Sequence, residues 1–398
     1  MLIPASPSTR KALLEKAYSF IGERSSKRIS QTVFGPSPPN IFVGRSGYPS
    51  VNVGPLVSVG DESLQGGVEF LDSPSQWYGL DYAKIISMRS SLVRGKKKHS
   101  VNNLAGKSRM LSDLQETVVS QKSVDLEVRF SRPLEFSMDF SSFYQPMGPA
   151  GSLEKLSLAG NPVIPKKVDE LSEEGVKVRD AVPEMLSSGF DVYYLQKILS
   201  AGILGEKEGK KLVPTRWSIT AGDKMVADHY LEKVREFTQV NEFLLFSAEF
   251  LHNHFEVLLL PGKWEFEQFE AWAPGTVWTK GEQKHTVVGE YEPFEGRSDY
   301  AELEGGGYYA GRYGVAEALH AMRRQARCVV FREIGDGYQV PVGVWQVREN
   351  VRKAMEQKPL ELASLKEALE ILSGRLKIPV KEYFSKSRVL GQKKMLDF

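Results

Sequence analysis

The sequence predicts an α+β fold in which mixed, mainly antiparallel sheets are surrounded by helices. Apolar residues alternate with polar ones in several stretches bounded by Pro and Gly, which is typical of strands and turns. Leucines recur at helical spacing in 360–376, which indicates an amphipathic helix. With 41% hydrophobic and 26% charged residues among 398, the composition is close to the globular average and excludes a disordered adaptor. The length allows two or three domains.

The first half of the chain alternates between strand and helix patterns. Residues 34–60 carry apolar triplets separated by Pro and Gly, which predicts short strands joined by tight turns. The segment 76–105 predicts a helix that ends in a run of positive charge, and 123–146 predicts a strand pair or hairpin. Residues 147–167 are rich in Gly, Pro and Lys, which suits either an internal linker or an ordered loop. Residues 180–240 are predicted to be largely helical.

The second half contains the longest apolar runs. The segment 241–272 predicts two central antiparallel strands separated by a turn at Pro261 and Gly262. A glycine-rich entry, a helix and a strand are predicted in 305–334, and a strand running into a helix in 337–358. Gly374 is predicted to cap the last helix.

Charge and cysteine content limit the classes of function. The net charge is only +2 and the pI about 8.3, so any contact with DNA must come from a local basic patch. The single cysteine, Cys328, excludes an intramolecular disulfide and a cysteine-based structural zinc site. It fits a reducing compartment, and no stretch approaches the roughly twenty apolar residues of a membrane span. We therefore expect a cytoplasmic protein.

The last seven residues, QKKMLDF, predict a docking peptide. In a 3₁₀ turn, Gln392, Met395 and Phe398 share one face, with Leu396 beside them. This spacing resembles the PIP box, the peptide by which replication and repair proteins bind the sliding clamp PCNA, although the usual second aromatic residue is absent. The alternative is an amphipathic end that folds onto its own domain.

Several internal stretches, together with this tail, resemble the archaeal Nre family: FGPSPPNIFVGRSGYPSVNVGPL, VPTRWSIT, GGGYYAGRYGVAEAL and PVGVWQVREN. The resemblance implies a role in DNA repair, but it assigns no reaction to particular residues. It also implies an N-terminal region over 1–289, a C-terminal region over 290–385 and a flexible clamp-binding tail over 386–398. Several family members carry an N-terminal cysteine cluster similar to a zinc finger. This chain lacks those cysteines and resembles the type without a zinc finger.

The densest run of positive charge is a candidate site for DNA or nucleotide phosphate. Clusters of this kind bind phosphates by charge neutralisation and counterion release. We expect Gly95 and the neighbouring Ser and Asn residues to form a mobile loop, and the alternative is an exposed loop whose charges only aid solubility. Arg45 lies between glycines in GRSGY, where an anion nest or an ordinary turn would fit. The candidate phosphate-binding residues are Arg45, Arg89, Arg94, Lys96, Lys97 and Lys98.

A divalent metal site is predicted from His252, His254 and Glu256. Residues two apart on a strand share a face, so the three could converge on one ion, with Asp228 or His229 completing the shell. Such an ion could activate water for phosphodiester hydrolysis. A solvated sheet face would give the same pattern.

Three classes of function follow from these patterns. The leading one is a DNA-repair factor that PCNA recruits and that contacts DNA or nucleotide. The second is a metal-dependent nuclease or nucleotide-processing enzyme, and the third is a clamp-bound scaffold for other repair proteins.

Four tryptophans could stack on bases, but core packing is the favoured interpretation for them: Trp217, Trp264, Trp272 and Trp278.

Overall fold

The computed structural model describes residues 7–21, 28–58, 67–102, 104, 108–137, 146–276, 279 and 282–391. The chain divides into two compact units. The N-terminal unit is Leu13–Met225, and the C-terminal unit is Val226–Phe398 together with Met1–Ala12. Each unit contains a six-stranded sheet with helices, so the predicted α+β class is confirmed.

The sheet of the N-terminal unit is mixed. Its strand order is β2-β6-β8-β5-β4-β3, and every neighbouring pair is antiparallel except β5 and β8. Two further strands, β1 and β7, pair with each other in a separate antiparallel ribbon. The strands are β1 (Arg28–Ile29), β2 (Thr32–Ser37), β3 (Ile41–Val43), β4 (Ser50–Ser58), β5 (Leu92–Ser100), β6 (Val124–Phe130), β7 (Leu134–Glu135) and β8 (Ala150–Leu158).

Local sequence explains how this sheet packs. Buried and exposed residues alternate along β6, so its apolar side chains form the core face. Gly54 on β4 allows a close backbone approach, because a β-carbon there would lie 2.1 Å from the carbonyl oxygen of Gly95 on β5.

Helices of the N-terminal unit begin with side-chain caps where the sequence provides them. The carboxylate of Asp81 accepts from the backbone nitrogen of Ala83 at 2.9 Å and so caps α2. The helices are the last part of α1 (Pro7–Ile21), α2 (Tyr82–Ser90), α3 (Arg109–Val119), α4 (Lys166–Glu174), α5 (Val178–Ser187), α6 (Val192–Ser200) and the first part of α7 (Thr215–Val234). Short 3₁₀ helices span Glu69–Asp72 and Pro74–Gln76.

The sheet of the C-terminal unit has the order β12-β11-β13-β10-β9-β14. The pair β11 and β13 is parallel, and the other pairs are antiparallel. The strands are β9 (Phe243–Phe250), β10 (Asn253–Leu260), β11 (Glu265–Trp272), β12 (Thr286–Glu292), β13 (Arg327–Ile334) and β14 (Leu360–Leu362).

The predicted strand pairing across Pro261 and Gly262 is wrong. Residues 241–272 form three strands, and β13 lies between β10 and β11. The hairpin is instead β9 and β10, joined by Leu251 and His252, whose φ angles are 52° and 56°. Positive φ at both central residues is what a two-residue type I′ turn requires, and neither residue type signals it.

Helices α8 (Gly306–Met322), α9 (Trp345–Met355), α10 (Leu365–Arg375), α11 (Val380–Phe384) and α12 (Arg388–Gly391) complete the C-terminal unit. Part of its core joins residues of α10, α11 and α12 to Phe269 and Phe331 of the sheet. The predicted glycine-rich entry is helical from Gly306, and Gly374 lies inside α10 rather than at its cap. The predicted strand in 337–344 is absent from these described residues, which lead directly into α9.

The remaining sequence interpretations can also be compared with the structure. Residues 150–158 form β8, so 147–167 contains ordered structure and is not a linker. The strands in 123–146 do not pair with each other, because β6 lies between β2 and β8 while β7 pairs with β1. The predicted join near Gly289 lies within β12, whereas the two compact units divide at 225/226. None of the helices in the described ranges is long and apolar enough to cross a lipid bilayer.

Candidate nucleic-acid interface

The predicted basic loop is a strand. Lys96, Lys97 and Lys98, which we call the β5 lysines, lie in the second half of β5, where Lys97 and Lys98 are exposed. The expectation of a mobile loop around Gly95 is therefore wrong: Gly95 is buried and packs against Pro55 of β4. Lysine is depleted in strands, so the run of three lysines predicts a loop rather than a strand.

The cross-strand neighbours of the β5 lysines carry no charge. Lys97 is opposite Val53 and Lys98 is opposite Asn52 on β4, while Lys96 is opposite Ser152 on β8. Elsewhere in the same sheet a cation does meet a carboxylate, because Arg129 on β6 pairs with Glu154 on β8 at 3.2 Å. The neighbours of β5 therefore leave the positive charge of Lys97 and Lys98 facing solvent.

Two arginines from the predicted cluster have structural roles instead. Arg89 forms an ion pair with Asp72 at 3.1 Å and lies over the ring of Trp77. Burial lowers the pKa of Arg89, and Asp72 opposes that effect. Arg94 is buried, lies over the ring of Phe42 and donates to the carbonyl oxygen of Gly148 at 3.2 Å. Neither guanidinium faces the solvent in the way that Lys97 and Lys98 do.

The hairpin loop between β3 and β4 lies at the same end of the sheet. Arg45 in this loop is exposed, and the backbone nitrogen of Val101, just after β5, donates to the carbonyl oxygen of Pro49 at 2.9 Å. Gly47 has a φ of 83°, and a β-carbon there would lie 3.5 Å from the Lys98 ammonium nitrogen and 2.8 Å from the Ser50 carbonyl oxygen. The positive φ and the close Ser50 carbonyl therefore favour glycine at this position, and the Lys98 ammonium lies beside the loop.

Two exposed aromatic rings meet beside this loop. Tyr48 and Trp217, which we call the aromatic pair, have ring centroids 5.1 Å apart, and their side chains remain 45% and 44% exposed. The start of α7 is fixed to the sheet because the hydroxyl of Thr215 accepts from the backbone nitrogen of Val43 at 3.0 Å. Core packing was the wrong interpretation for Trp217, whereas Trp264 is fully buried as predicted.

The predicted metal ligands do not converge. His252 is in the turn before β10, so the prediction that all three candidates share one strand is wrong. The Glu256 carboxylate is fully buried, where it accepts from Ser247 Oγ at 3.0 Å and lies 3.2 Å from Arg375 Nη1 and 3.1 Å from His254 Nε2. Among the described residues, no group of three or more His, Cys, Asp or Glu side chains is arranged to hold a metal ion. The geometry gives this site no support.

The C-terminal unit contains charged residues that the sequence did not single out. We call Glu270, Glu292, Glu304, Arg312 and Arg332 the buried charge network, since all five are buried. Arg312 donates to both carboxylate oxygens of Glu292 at 2.7 and 2.8 Å. Burial opposes the ionisation of Arg312, but Glu292 outweighs it and raises the pKa of the guanidinium. Such bidentate pairs are among the strongest hydrogen-bonded contacts in proteins.

The second part of the network joins strands β11 and β13 to the turn before α8. Arg332 Nη1 donates to Glu270 at 2.5 Å, and the amide of Gln268 donates to Glu304 at 2.7 Å. Burial, followed by the nearby Glu270 carboxylate, raises the pKa of Glu304 well above its ordinary value. Gly311 of α8 makes room for this packing, because a β-carbon there would lie 1.9 Å from Gln268 Oε1. These side chains are internal, so the network is part of the core and offers no open surface to a ligand.

Comparison with known proteins identifies the family of this chain. The family model described as "Archaeal Nre, N-terminal" matches 8–279, and the model described as "Archaeal Nre, C-terminal" matches 292–397. The chain belongs to the archaeal Nre family. The sequence resemblance is thereby confirmed, and this Nre chain can be compared with characterised relatives.

Three relatives match over most of their length. DNA repair protein NreA of Archaeoglobus fulgidus is 39% identical, with 92% of this chain and 89% of the relative covered. DNA repair protein NreB of the same organism is 33% identical, with 91% and 90% covered. DNA repair protein NreA of Haloferax volcanii is 33% identical, with 98% and 96% covered. No solved structure matches this Nre chain.

The predicted clamp-binding residues of this Nre chain, Gln392, Met395, Leu396 and Phe398, lie outside the described residues. The segment just before them is firmly attached to the C-terminal sheet. Val389 and Leu390 of α12 are buried, and the Glu267 carboxylate accepts from the backbone nitrogen of Arg388 at 2.8 Å.

Proposed function

We propose that this Nre protein is a DNA-repair factor that the sliding clamp PCNA recruits through residues 392–398 and whose N-terminal unit binds DNA phosphates. A repair role is supported by the names of the three relatives, each called a DNA repair protein. The spacing of Gln392, Met395 and Phe398 supports recruitment by the clamp.

The observation that carries the DNA-binding part is the environment of the β5 lysines. Lys97 and Lys98 are exposed, and their cross-strand neighbours are Val53 and Asn52. Lysines that face water beside uncharged neighbours can neutralise DNA phosphates, and the counterions condensed on the DNA are then released, which gives affinity without sequence specificity. Arg45 lies in the hairpin loop at the same end of the sheet and adds a third exposed cation.

The two parts of the proposal reinforce each other energetically. A clamp that encircles DNA would hold the N-terminal unit at high local concentration, so a weak intrinsic affinity for phosphates would suffice. The segment that precedes the tail is bound through its backbone by Glu267 of β11.

The recruitment part is tested by calorimetric titration of an archaeal clamp into the full chain and into a version lacking 392–398. We expect binding by the full chain and none by the truncation, with unchanged thermal stability. Phe398→Ala should also lose binding because it removes the apolar anchor, whereas Asp397→Ala should retain it. Clamp binding that survives the truncation would contradict recruitment by this peptide. A lower melting temperature of the truncation, without clamp binding by the full chain, would favour a tail that packs on its own unit.

The DNA-binding part is tested by fluorescence anisotropy with a duplex oligonucleotide. The double variant K97Q/K98Q should bind about tenfold more weakly at low salt, since two phosphate contacts are lost. Lys166→Gln is the matched control, because Lys166 is an exposed lysine of the same unit that already pairs with Glu170 at 3.3 Å. Equal affinities for wild type and K97Q/K98Q would contradict the assignment of the β5 lysines.

A further inference from the structure

We infer that the aromatic pair, Tyr48 and Trp217, is a stacking platform for an unpaired base of single-stranded DNA. This inference rests on the proposed DNA binding and adds to it the form of nucleic acid that the N-terminal unit prefers. It is carried by three features: the exposure of the two rings, the way they are held, and the charges around them.

The exposure of the pair differs from that of aromatic contacts in the core. Trp264 and Phe266 stack with centroids 5.8 Å apart and are fully buried, as expected for large apolar rings. Tyr48 and Trp217 also touch, yet nearly half of each side chain faces solvent. Their planes are inclined by 51° and the centroids are only 5.1 Å apart, so a base would stack on an outer ring face rather than between the rings.

Hydrogen bonds fix the two segments that carry the rings. The loop that carries Tyr48 is closed by two hydrogen bonds, Tyr48 N to Arg45 O at 3.3 Å and Ser50 N to Gly47 O at 2.9 Å. The helix that carries Trp217 is tied to Val43 at the end of β3 through Thr215. A platform ordered before binding loses little conformational entropy when a base stacks on it.

The charges around the pair favour a nucleic acid over an apolar protein surface. Arg45 and Arg216 are exposed, and the Lys98 ammonium approaches Gly47, the residue before Tyr48. The three segments that form this surface, 44–52, 96–101 and 213–220, contain no Asp or Glu. Aromatic rings set among cations bind single strands by combining base stacking with phosphate neutralisation. In a duplex the base faces are covered by their neighbours, so only an unpaired base can use the platform.

The test compares two fluorescein-labelled 15-mers with the same number of phosphates: oligo(dT) and an oligonucleotide with abasic sites throughout its centre. Wild type should bind oligo(dT) more tightly than the abasic strand. Trp217→Ala and Tyr48→Ala should each weaken oligo(dT) binding by about 5- to 150-fold, the range for losing one stacked base, and should bind the abasic strand as wild type does. Trp217→Phe should restore most of the affinity because it keeps an aromatic face.

The matched control is Phe34→Ala. Phe34 is 67% exposed on β2, the opposite edge strand of the same sheet, so its removal should leave both affinities unchanged. Equal binding of both strands by wild type, with no effect of Trp217→Ala or Tyr48→Ala, would overturn the stacking inference while leaving phosphate binding intact. No binding of either strand or of duplex DNA by wild type would instead overturn the proposed DNA binding itself.

Discussion

Lys98 in the N-terminal unit and Arg312 in the C-terminal unit are both cations, but their surroundings are opposite. Lys98 is exposed and lies across from Asn52. Arg312 is buried and contacts Glu292 through two hydrogen bonds, with Asp228 at 2.8 Å from its third nitrogen. Burying an ion costs several kcal/mol of hydration, which only a well-placed counterion can offset. Arg312 is therefore committed to the fold, whereas Lys98 is available to a ligand.

The largest effect is expected when the buried charge network loses one partner. Arg312→Met should destabilise the C-terminal unit by about 3–5 kcal/mol, because Glu292 would remain buried without its bidentate partner, and Arg235 lies 3.9 Å away. Guanidinium denaturation followed by circular dichroism measures this change. Lys98→Met should change stability by no more than about 0.5 kcal/mol, as for an ordinary surface position. Similar losses for the two variants would remove the distinction between the two regions.

A smaller effect is expected from filling the space beside the network. Gly311→Ala should destabilise by about 1–3 kcal/mol, since its β-carbon would collide with Gln268, a buried side chain whose amide is bound to Glu304. The matched control is Gly374→Ala within α10, where a β-carbon would meet no atom within 4 Å. That variant should gain up to about 1 kcal/mol from improved helix propensity. Both free energies of unfolding can be measured with the same denaturation assay, and a Gly311→Ala variant as stable as wild type would contradict tight packing there.

The smallest effect is a pH dependence from Glu304. Burial, and after it the Glu270 carboxylate, raises the pKa of Glu304 in the folded protein. The stability that the protonated Glu304 side chain contributes is therefore fully present below its unfolded pKa of about 4.3. That contribution is lost as the pH rises through the folded pKa. Glu304→Gln carries a neutral side chain at every pH, so its stability relative to wild type should improve steadily from pH 5 to pH 8.

Denaturation at several pH values checks this expectation. Glu302→Gln is the control, because Glu302 is exposed two residues away and should show no such trend. A constant difference between wild type and Glu304→Gln across this range would show that Glu304 is charged in the folded protein, contrary to its raised pKa.

The sequence predicts the fold class better than it predicts the sites. Pro and Gly punctuate 34–60 so strongly that short strands are predicted there, and β3, β4 and most of β2 lie in this range. The β5 lysines were identified as a basic cluster, but three consecutive lysines gave no sign of a strand. Their strand conformation depends on pairing with β4 and β8, which are distant in sequence.

The buried charge network and the aromatic pair illustrate why the rest was missed. The alternation in EFEQFEAW is typical of a strand with one solvent-exposed face. Residues on both faces of β11 are nevertheless buried, because α8 covers Gln268 and Glu270. Tyr48 and Trp217 are 169 positions apart, so no local pattern could bring them together. The stretches GRSGY and PTRWSIT did contain a usable signal, since each places an aromatic residue within three positions of an arginine and lacks an acid.

The most direct test of DNA binding by the N-terminal unit is the salt dependence of that binding. The logarithm of the association constant for a duplex oligonucleotide is measured against the logarithm of salt concentration for wild type and K97Q/K98Q. Because each neutralised phosphate contributes about one unit of slope, the double variant should have a slope smaller in magnitude by about two. Equal slopes for the two proteins would show that Lys97 and Lys98 contact no phosphate and would contradict the proposed interface.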